Sequence, residues 1–271
     1  MARAGLLLLL GAARALDCYY RHMRPEWTTL HKCDALYLSE KDGVPAHWMA
    51  TLPDALEGHA QLHTLVLNGG LVDDGGALAL ARALRDNAAL RHLDLNGNAI
   101  GPRGAEALAV LVEASELETL SLYGNAIGPD GAVALGGALA SNSSLRVLDL
   151  WRNGIGDAGA RALGGALGHR VRPLHTLVLA ENEIGDGGAE ALAEALGAND
   201  GLETLDLAKN AIGSTGGTKL ADAIERNHAL THIGLGFNGP ITPHDHRRMQ
   251  AWIGRGTTHR RRRVAELRQE L

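Results

Sequence analysis

Four short stretches of this 271-residue chain have residue types that could do chemistry. "GLGFNG", Gly234 to Gly239, has the G-x-G-x-x-G spacing of a dinucleotide-binding turn. That use needs the glycines to open a helix whose first N–H groups meet a pyrophosphate. Pro240 and Pro243 follow instead. "GSTGGTK", Gly213 to Lys219, lacks the Gly-Lys-Ser/Thr ending of a phosphate loop. His244-Asp245-His246 offers two imidazoles but no third metal ligand nearby in sequence. Arg260 to Arg263 could seek an acidic partner, serve nuclear import, or be a solvated tail that folds back on the acidic body. No aromatic residues interleave with those arginines, so nucleic-acid binding is not expected. No serine, cysteine or carboxylate pair stands beside a positioned base. The chain is therefore expected to have no catalytic residues, cofactor, metal or small-molecule substrate, and to be no enzyme.

The residues between these stretches explain them better. Leucines recur as L-x-x-L-x-L from Leu62, Leu90, Leu117, Leu145, Leu174, Leu202 and Leu230, at spacings of 27 to 29. A degenerate copy runs Cys33, Leu36, Leu38. Eight units thus cover residues 33 to 242. Each opens with alternating apolar and polar residues, the mark of a strand with one buried face. Asn98, Asn125, Asn153, Asn182, Asn210 and Asn238 follow at one repeat position. An asparagine side chain both donates and accepts, and can satisfy backbone groups freed where the chain turns. A glycine comes next, then alanines and leucines at helical spacing. Strand plus helix in 28 residues, joined by short connections, forces parallel strands. Helices are about 10 Å wide and strands about 4.8 Å, so the stack curves with strands on the concave side. An α/β solenoid, a curved horseshoe of about eight repeats, is expected. "GLGFNG" and "GSTGGTK" are then repeat variants.

The pattern L-x-x-L-x-L-x-x-N-x-I-G-x-x-G-A-x-A-L-A-x-A-L resembles the 28-residue leucine-rich repeat of the ribonuclease-inhibitor type. Ran GTPase-activating proteins and the C-terminal arrays of NOD-like receptors have similar repeats. The resemblance covers about three quarters of the chain. It implies the same fold and a protein-binding role, with regulation of a small GTPase, or a place in an immune-type receptor, as alternatives. Two departures are visible. The array holds only Cys33, whereas ribonuclease inhibitors are cysteine-rich, and no nucleotide-binding domain fits beside it.

Positions between the leucines should face outward on the concave side. Directly after the third leucine these are Ser39, Asn68, Asn96, Tyr123, Trp151, Ala180, Ala208 and Gly236; between the last two leucines they include Asp94, Ser121, Asp149 and Asp206. Arg152, Glu181, Lys209 and Phe237 extend the list. The chain is only 3% aromatic. Tyr123 and Trp151 nevertheless occupy one slot in adjacent repeats, about 5 Å apart at the backbone. Trp, Tyr and Arg carry much of the energy of protein interfaces. Tyr123, Trp151, Asp149, Arg146, Arg152, Asp94 and Glu118 are the expected contact patch for a protein partner. A cross-strand pair that only steadies its own sheet remains the alternative. Tyr19, Tyr20, Trp27, Trp48 and Trp252 are expected to cover the ends of the array.

The ends divide the chain into a leader or cap (residues 1–32), the array (33–242), and a capping helix with a basic tail (243–271). Thr242 before Pro243 reads as a helix start that buries Met249 and Trp252. From Pro243 onward there are 8 Arg against 3 acidic residues, leaving 18 basic and 28 acidic residues from the chain's 26 and 31. An acidic body carries a basic tail. No apolar run is long enough to span a membrane. Arg3, Leu6 to Leu10 and Ala13-Arg14-Ala15 have the order of a signal peptide, but the apolar core is short and Arg14 sits beside the would-be cut, so a hydrophobic cap is the preferred reading. If the leader is cleaved, Cys18 and Cys33 could pair and Asn142-Ser143-Ser144 becomes a glycosylation acceptor. If not, Cys33 fills a leucine slot in a cytoplasmic protein. A monomer is expected.

Overall fold

A computed structural model of the chain describes residues 17–19, 30, 33–39, 41, 44, 46–168, 174–249 and 251. Among them, nine strands form one parallel sheet in sequence order. They are β1 (Asp17–Tyr19), β2 (Ala35–Ser39), β3 (Thr64–Asn68), β4 (His92–Asp94), β5 (Thr119–Ser121), β6 (Val147–Asp149), β7 (Thr176–Val178), β8 (Thr204–Asp206) and β9 (His232–Gly234). Between them run α1 (Ala46–Leu56), α2 (Asp74–Ala83), α3 (Pro102–Ala114), α4 (Gly128–Ser141), α5 (Gly156–Leu167), α6 (Asp186–Ala198) and α7 (Ser214–Ile224). The register keeps equivalent residues side by side: Leu93 pairs Leu120, which pairs Leu148, then Leu177 and Leu205. The repeat leucines form one continuous buried core with the helix alanines. β1 adds a strand within the segment read as leader or cap. Cys18 on β1 is disulfide-bonded to Cys33, with Cα atoms 5.7 Å apart. Leu6 to Leu10, Tyr20, Trp27, Trp252 and Arg260 to Arg263 lie outside the described residues.

The repeat asparagines do what their donor and acceptor pattern allows. Asn98 Oδ1 accepts from the Val72 N–H, and its amide donates to the Leu67 and Leu95 carbonyls. Asn125, Asn153, Asn182, Asn210 and Asn238 likewise tie one turn to its neighbours. A second ladder lies at the opposite end of the strands. Asn87, Asn142, Asn199 and Asn227 each accept from two backbone N–H groups ahead of the next strand and donate back to the preceding repeat. This corrects the reading of Asn142 as a glycan acceptor. Its amide nitrogen, the atom a sugar would need, is buried and donates to the Val112 carbonyl at 2.7 Å.

Helices α3 to α7 begin in two ways, and the residue one repeat earlier decides which. Asp74, Asp157 and Asp186 stand in the first turns of α2, α5 and α6. Each accepts from the N–H of the glycine that starts the next helix, Gly101, Gly185 or Gly213, at 2.6–2.7 Å. Those three glycines have extended backbone, with φ of −99°, −98° and −96°. Pro102 and Pro129 occupy the same place in α3 and α4 and offer no acceptor. There the next glycine turns the other way. Gly128 and Gly156 adopt φ of +64° and +61° and donate to the Asn153 and Asn182 carbonyls of the following repeat.

Glycines inside the helices divide by packing. A Cβ at Gly136 would lie 3.0 Å from the Ala162 carbonyl oxygen of α5, and one at Gly164 3.0 Å from that of Ala191 in α6. These positions let adjacent helices approach closely. At Gly137 and Gly165 a Cβ meets nothing within 4 Å. Gly137→Ala and Gly165→Ala should therefore each raise stability by about 0.5–1 kcal/mol. Gly136→Ala should lower it. Urea unfolding midpoints of the three variants check the contrast.

Residues 243–249 are helical, as Thr242-Pro243 predicts, and Met249 is buried. Asp245 is buried too, which removes it from any exposed His-Asp-His cluster. Its N–H donates to Thr242 Oγ1, and its carboxylate accepts from Thr242, Thr218 and Arg248. Arg248 also pairs with Asp222 of α7 and with Glu225, its C-cap, so one guanidinium clamps the last helix to the array. The Thr242 and Thr218 hydroxyls lead in holding the Asp245 carboxyl at about 2. A depressed carboxylate stabilises the fold above its unfolded value, near 3.9, and that contribution is lost as pH falls toward about 2. Asp245→Asn should unfold at lower urea than the wild type at pH 7. The gap should close between about pH 4 and pH 2.

Candidate partner-binding surface

The leucines turn one face of every strand inward, which leaves the other face of the sheet to solvent or a partner. Tyr123 and Trp151 stand on that face, half-buried, directly beyond β5 and β6. The Gly124 N–H donates to the Trp151 carbonyl, so the strand register continues through them. Their ring centroids are 5.2 Å apart with planes at 64°, an edge-to-face pair. Lys209 Nζ lies 5.7 Å from the centre of the Trp151 ring and is paired with Glu181. That bond holds the Glu181 carboxyl below its ordinary value. The Trp151 indole N–H is buried and close enough to Glu181 to help lower it, yet makes no hydrogen bond of ordinary geometry.

The other expected contact residues separate into two kinds. Arg146 and Arg152 are exposed. Glu118 pairs with Arg91 at 3.8 Å. Asp94 and Asp149 are half-buried, and each accepts from the backbone N–H two residues on, that of Asn96 or Trp151. Asp206 does the same for Ala208. Burial pushes the Asp149 carboxyl up, and the like charges of Asp94 and Asp206 add to it. Burial also raises Asp94. These aspartates thus brace their own turns while facing the concave side.

Two residues expected on the surface are buried. Ser121 is 8% exposed and Ala180 2%. Both are short side chains beside longer ones: Ser121 pairs with Asp94 and Asp149, and Ala180 lies one strand from Trp151. Arg152, Glu181, Lys209 and Phe237 are not strand residues either. They occupy the turn beyond the strands, with φ between +54° and +59°. Glycine holds that position as Gly97 and Gly124, at +66° and +69°. A left-handed conformation costs a non-glycine residue roughly 1–2 kcal/mol. Four successive repeats bear that cost, and each presents a large side chain there. Phe237, 86% exposed, is the most open large apolar residue among those described.

A family profile described as Leucine Rich repeat matches residues 86–109, 115–136, 141–164, 172–193 and 201–221. The chain carries leucine-rich repeats. Their profile boundaries fall on the strand–helix units of the sheet, from the Asn87 turn to α7. No curated protein matches the sequence. Among solved structures, the repeats are similar to "Leiomodin-1 Actin-Binding Site 2 (ABS2)", at 13% identity over 82% of this chain and 95% of that one, TM-score 0.37. They are also similar to the tropomodulin C-terminal domain of Caenorhabditis elegans, at 15% identity over 80% of this chain and 98% of that one, TM-score 0.36. Similarity at that level has no bearing on what this array binds.

Proposed function

We propose that the chain is a binding module that holds a partner protein on its concave face, with Tyr123 and Trp151 at the centre and Arg146, Arg152, Asp94, Asp149 and Glu118 around them. The observation that carries the reading is the run Arg152, Glu181, Lys209, Phe237. Strained backbone retained where glycine would relax it points toward function. The mechanism is rigid presentation of an extended surface, without bond chemistry. Affinity capture with wild type and with Trp151→Ala, using Gly137→Ala as a control away from the face, tests it. A partner held equally by all three proteins would sink the reading. The resemblance to Ran GTPase-activating proteins supplies the alternative, and stimulated GTP hydrolysis across a panel of small GTPases separates the two.

The Cys18–Cys33 bond supports the exported alternative over the cytoplasmic one, because disulfides persist in oxidising compartments. The natural protein should then be two hydrogen masses lighter before reduction than after, with no glycan on Asn142. Intact mass spectrometry with and without reductant reads both.

A further inference from the structure

We infer that the partner lays a basic helix across the strands of the concave face, with Lys or Arg at every seventh position meeting Asp94, Asp149 and Asp206. This rests on the concave-face reading above and names the chemistry of the occupant. The three aspartates belong to one row of the sheet. Asp94 pairs in register with Ser121, Ser121 with Asp149, Asp149 with Val178 and Val178 with Asp206. They therefore recur on every second strand, about 10 Å apart. Among the described residues none of the three has a basic side chain within ion-pair distance. Of the cations on this face, Lys209 pairs with Glu181 and Arg91 with Glu118, while Arg146 and Arg152 are exposed and make no ion pair among the described residues. The Asp149 carboxylate lies at the foot of Trp151, whose backbone N–H it accepts, so charge and aromatic surface are contiguous.

Spacing selects the occupant. Two helical turns advance about 10.5 Å over seven residues and return to the same face. In an extended strand, residues three apart span a similar distance but point to opposite faces, so they cannot address one row. A helix with cations at every seventh position can put apolar residues between them, over Tyr123 and Trp151, the usual amphipathic mode of groove binding. Each cation would meet a carboxylate already withdrawn from bulk water, where an ion pair is worth more than at an open surface.

The test uses the full-length chain and three labelled helical peptides, read by fluorescence anisotropy at about 0.15 M ionic strength. One peptide has Arg at every seventh position with leucines between. The second has the same composition with the arginines clustered. The third replaces Arg by Glu. The first is expected to bind most tightly. The combined variant Asp94→Asn, Asp149→Asn, Asp206→Asn keeps an oxygen for each backbone N–H and should weaken the first peptide by about tenfold or more. The proposal is overturned if clustered and spaced peptides bind alike, or if the triple variant binds the spaced peptide unchanged. It is also overturned if replacing Arg260 to Arg263 by glutamine tightens the spaced peptide about tenfold, because the row is then filled by the chain's own tail. Trp151→Ala distinguishes this failure from the broader one. A captured partner that depends on Trp151 but not on the aspartates leaves the concave-face reading standing and removes only the basic helix.

Discussion

Asn182→Ala is expected to lower stability by about 3–5 kcal/mol, a large share of the roughly 5–15 kcal/mol a domain possesses. Asn182 is fully buried. Its Oδ1 accepts from the Asn153 N–H at 2.9 Å, and its amide donates to the Leu150 and Ala180 carbonyls at 2.8 and 3.1 Å. Alanine removes the partner of the Asn153 and Ile155 N–H groups and of the Leu150 carbonyl where water cannot reach, and each costs about 1–3 kcal/mol, while the Ala180 carbonyl keeps its bond from the Arg152 N–H. Its own N–H still donates to Asn210, so the damage points toward the preceding repeats. Repeats touch only their neighbours, so a break in mid-array also weakens coupling between the two halves. Urea unfolding followed by circular dichroism should show a lower midpoint and a broader transition. Asn125→Ala is the internal comparison. Asn125 makes the same kinds of bonds but is half-buried, so water replaces part of what is lost and the effect should be visibly smaller.

Trp151→Ala is expected to weaken partner binding about thirtyfold or more, the range of a central interface residue, while costing the fold only about 1 kcal/mol. The ring packs edge-on against Tyr123 and under Lys209, so truncation empties the centre of the face. Phe237→Gly should separate binding from stability more sharply. Glycine relaxes the backbone at φ +59°, so stability should rise by roughly 0.5–1 kcal/mol while binding falls. Thermal melts beside calorimetric titration of the captured partner check both signs. If the aromatic pair served only its own sheet, Trp151→Ala would move the melt and leave the titration alone.

The fold was legible because its causes are local and repeated. Leucine spacing sets which face of each strand is buried, and Asn98 to Asn238 sit where freed backbone groups need a donor and an acceptor. The second asparagine ladder left a sparser signal, Asn-x-x-Leu at Asn87, Asn142, Asn199 and Asn227, which is missing before Leu117 and Leu174. Ser121 and Ala180 were misplaced because alternation tells which way a side chain points but not whether its neighbours tower over it. The left-handed turns at Arg152, Glu181, Lys209 and Phe237 were invisible for a different reason. Only the glycines at Gly97 and Gly124 announce that conformation, and four charged or aromatic residues in the same slot read as ordinary surface. The aspartates read as contact residues. Their backbone bonds could not be foreseen, since they depend on side-chain direction within a turn.

The two ways of starting a helix bear on how such an array can grow. A unit moved or duplicated takes its glycine with it but leaves behind the aspartate or proline that told the glycine which way to turn. Gly128 placed after Asp186 would find a carboxylate where it now finds none, and Gly213 placed after Pro102 would lose its acceptor. The grammar therefore links adjacent units, as agreement links words. Lengthening this array by copying pairs of repeats makes one new junction for every two units added, whereas copying single repeats makes one for each.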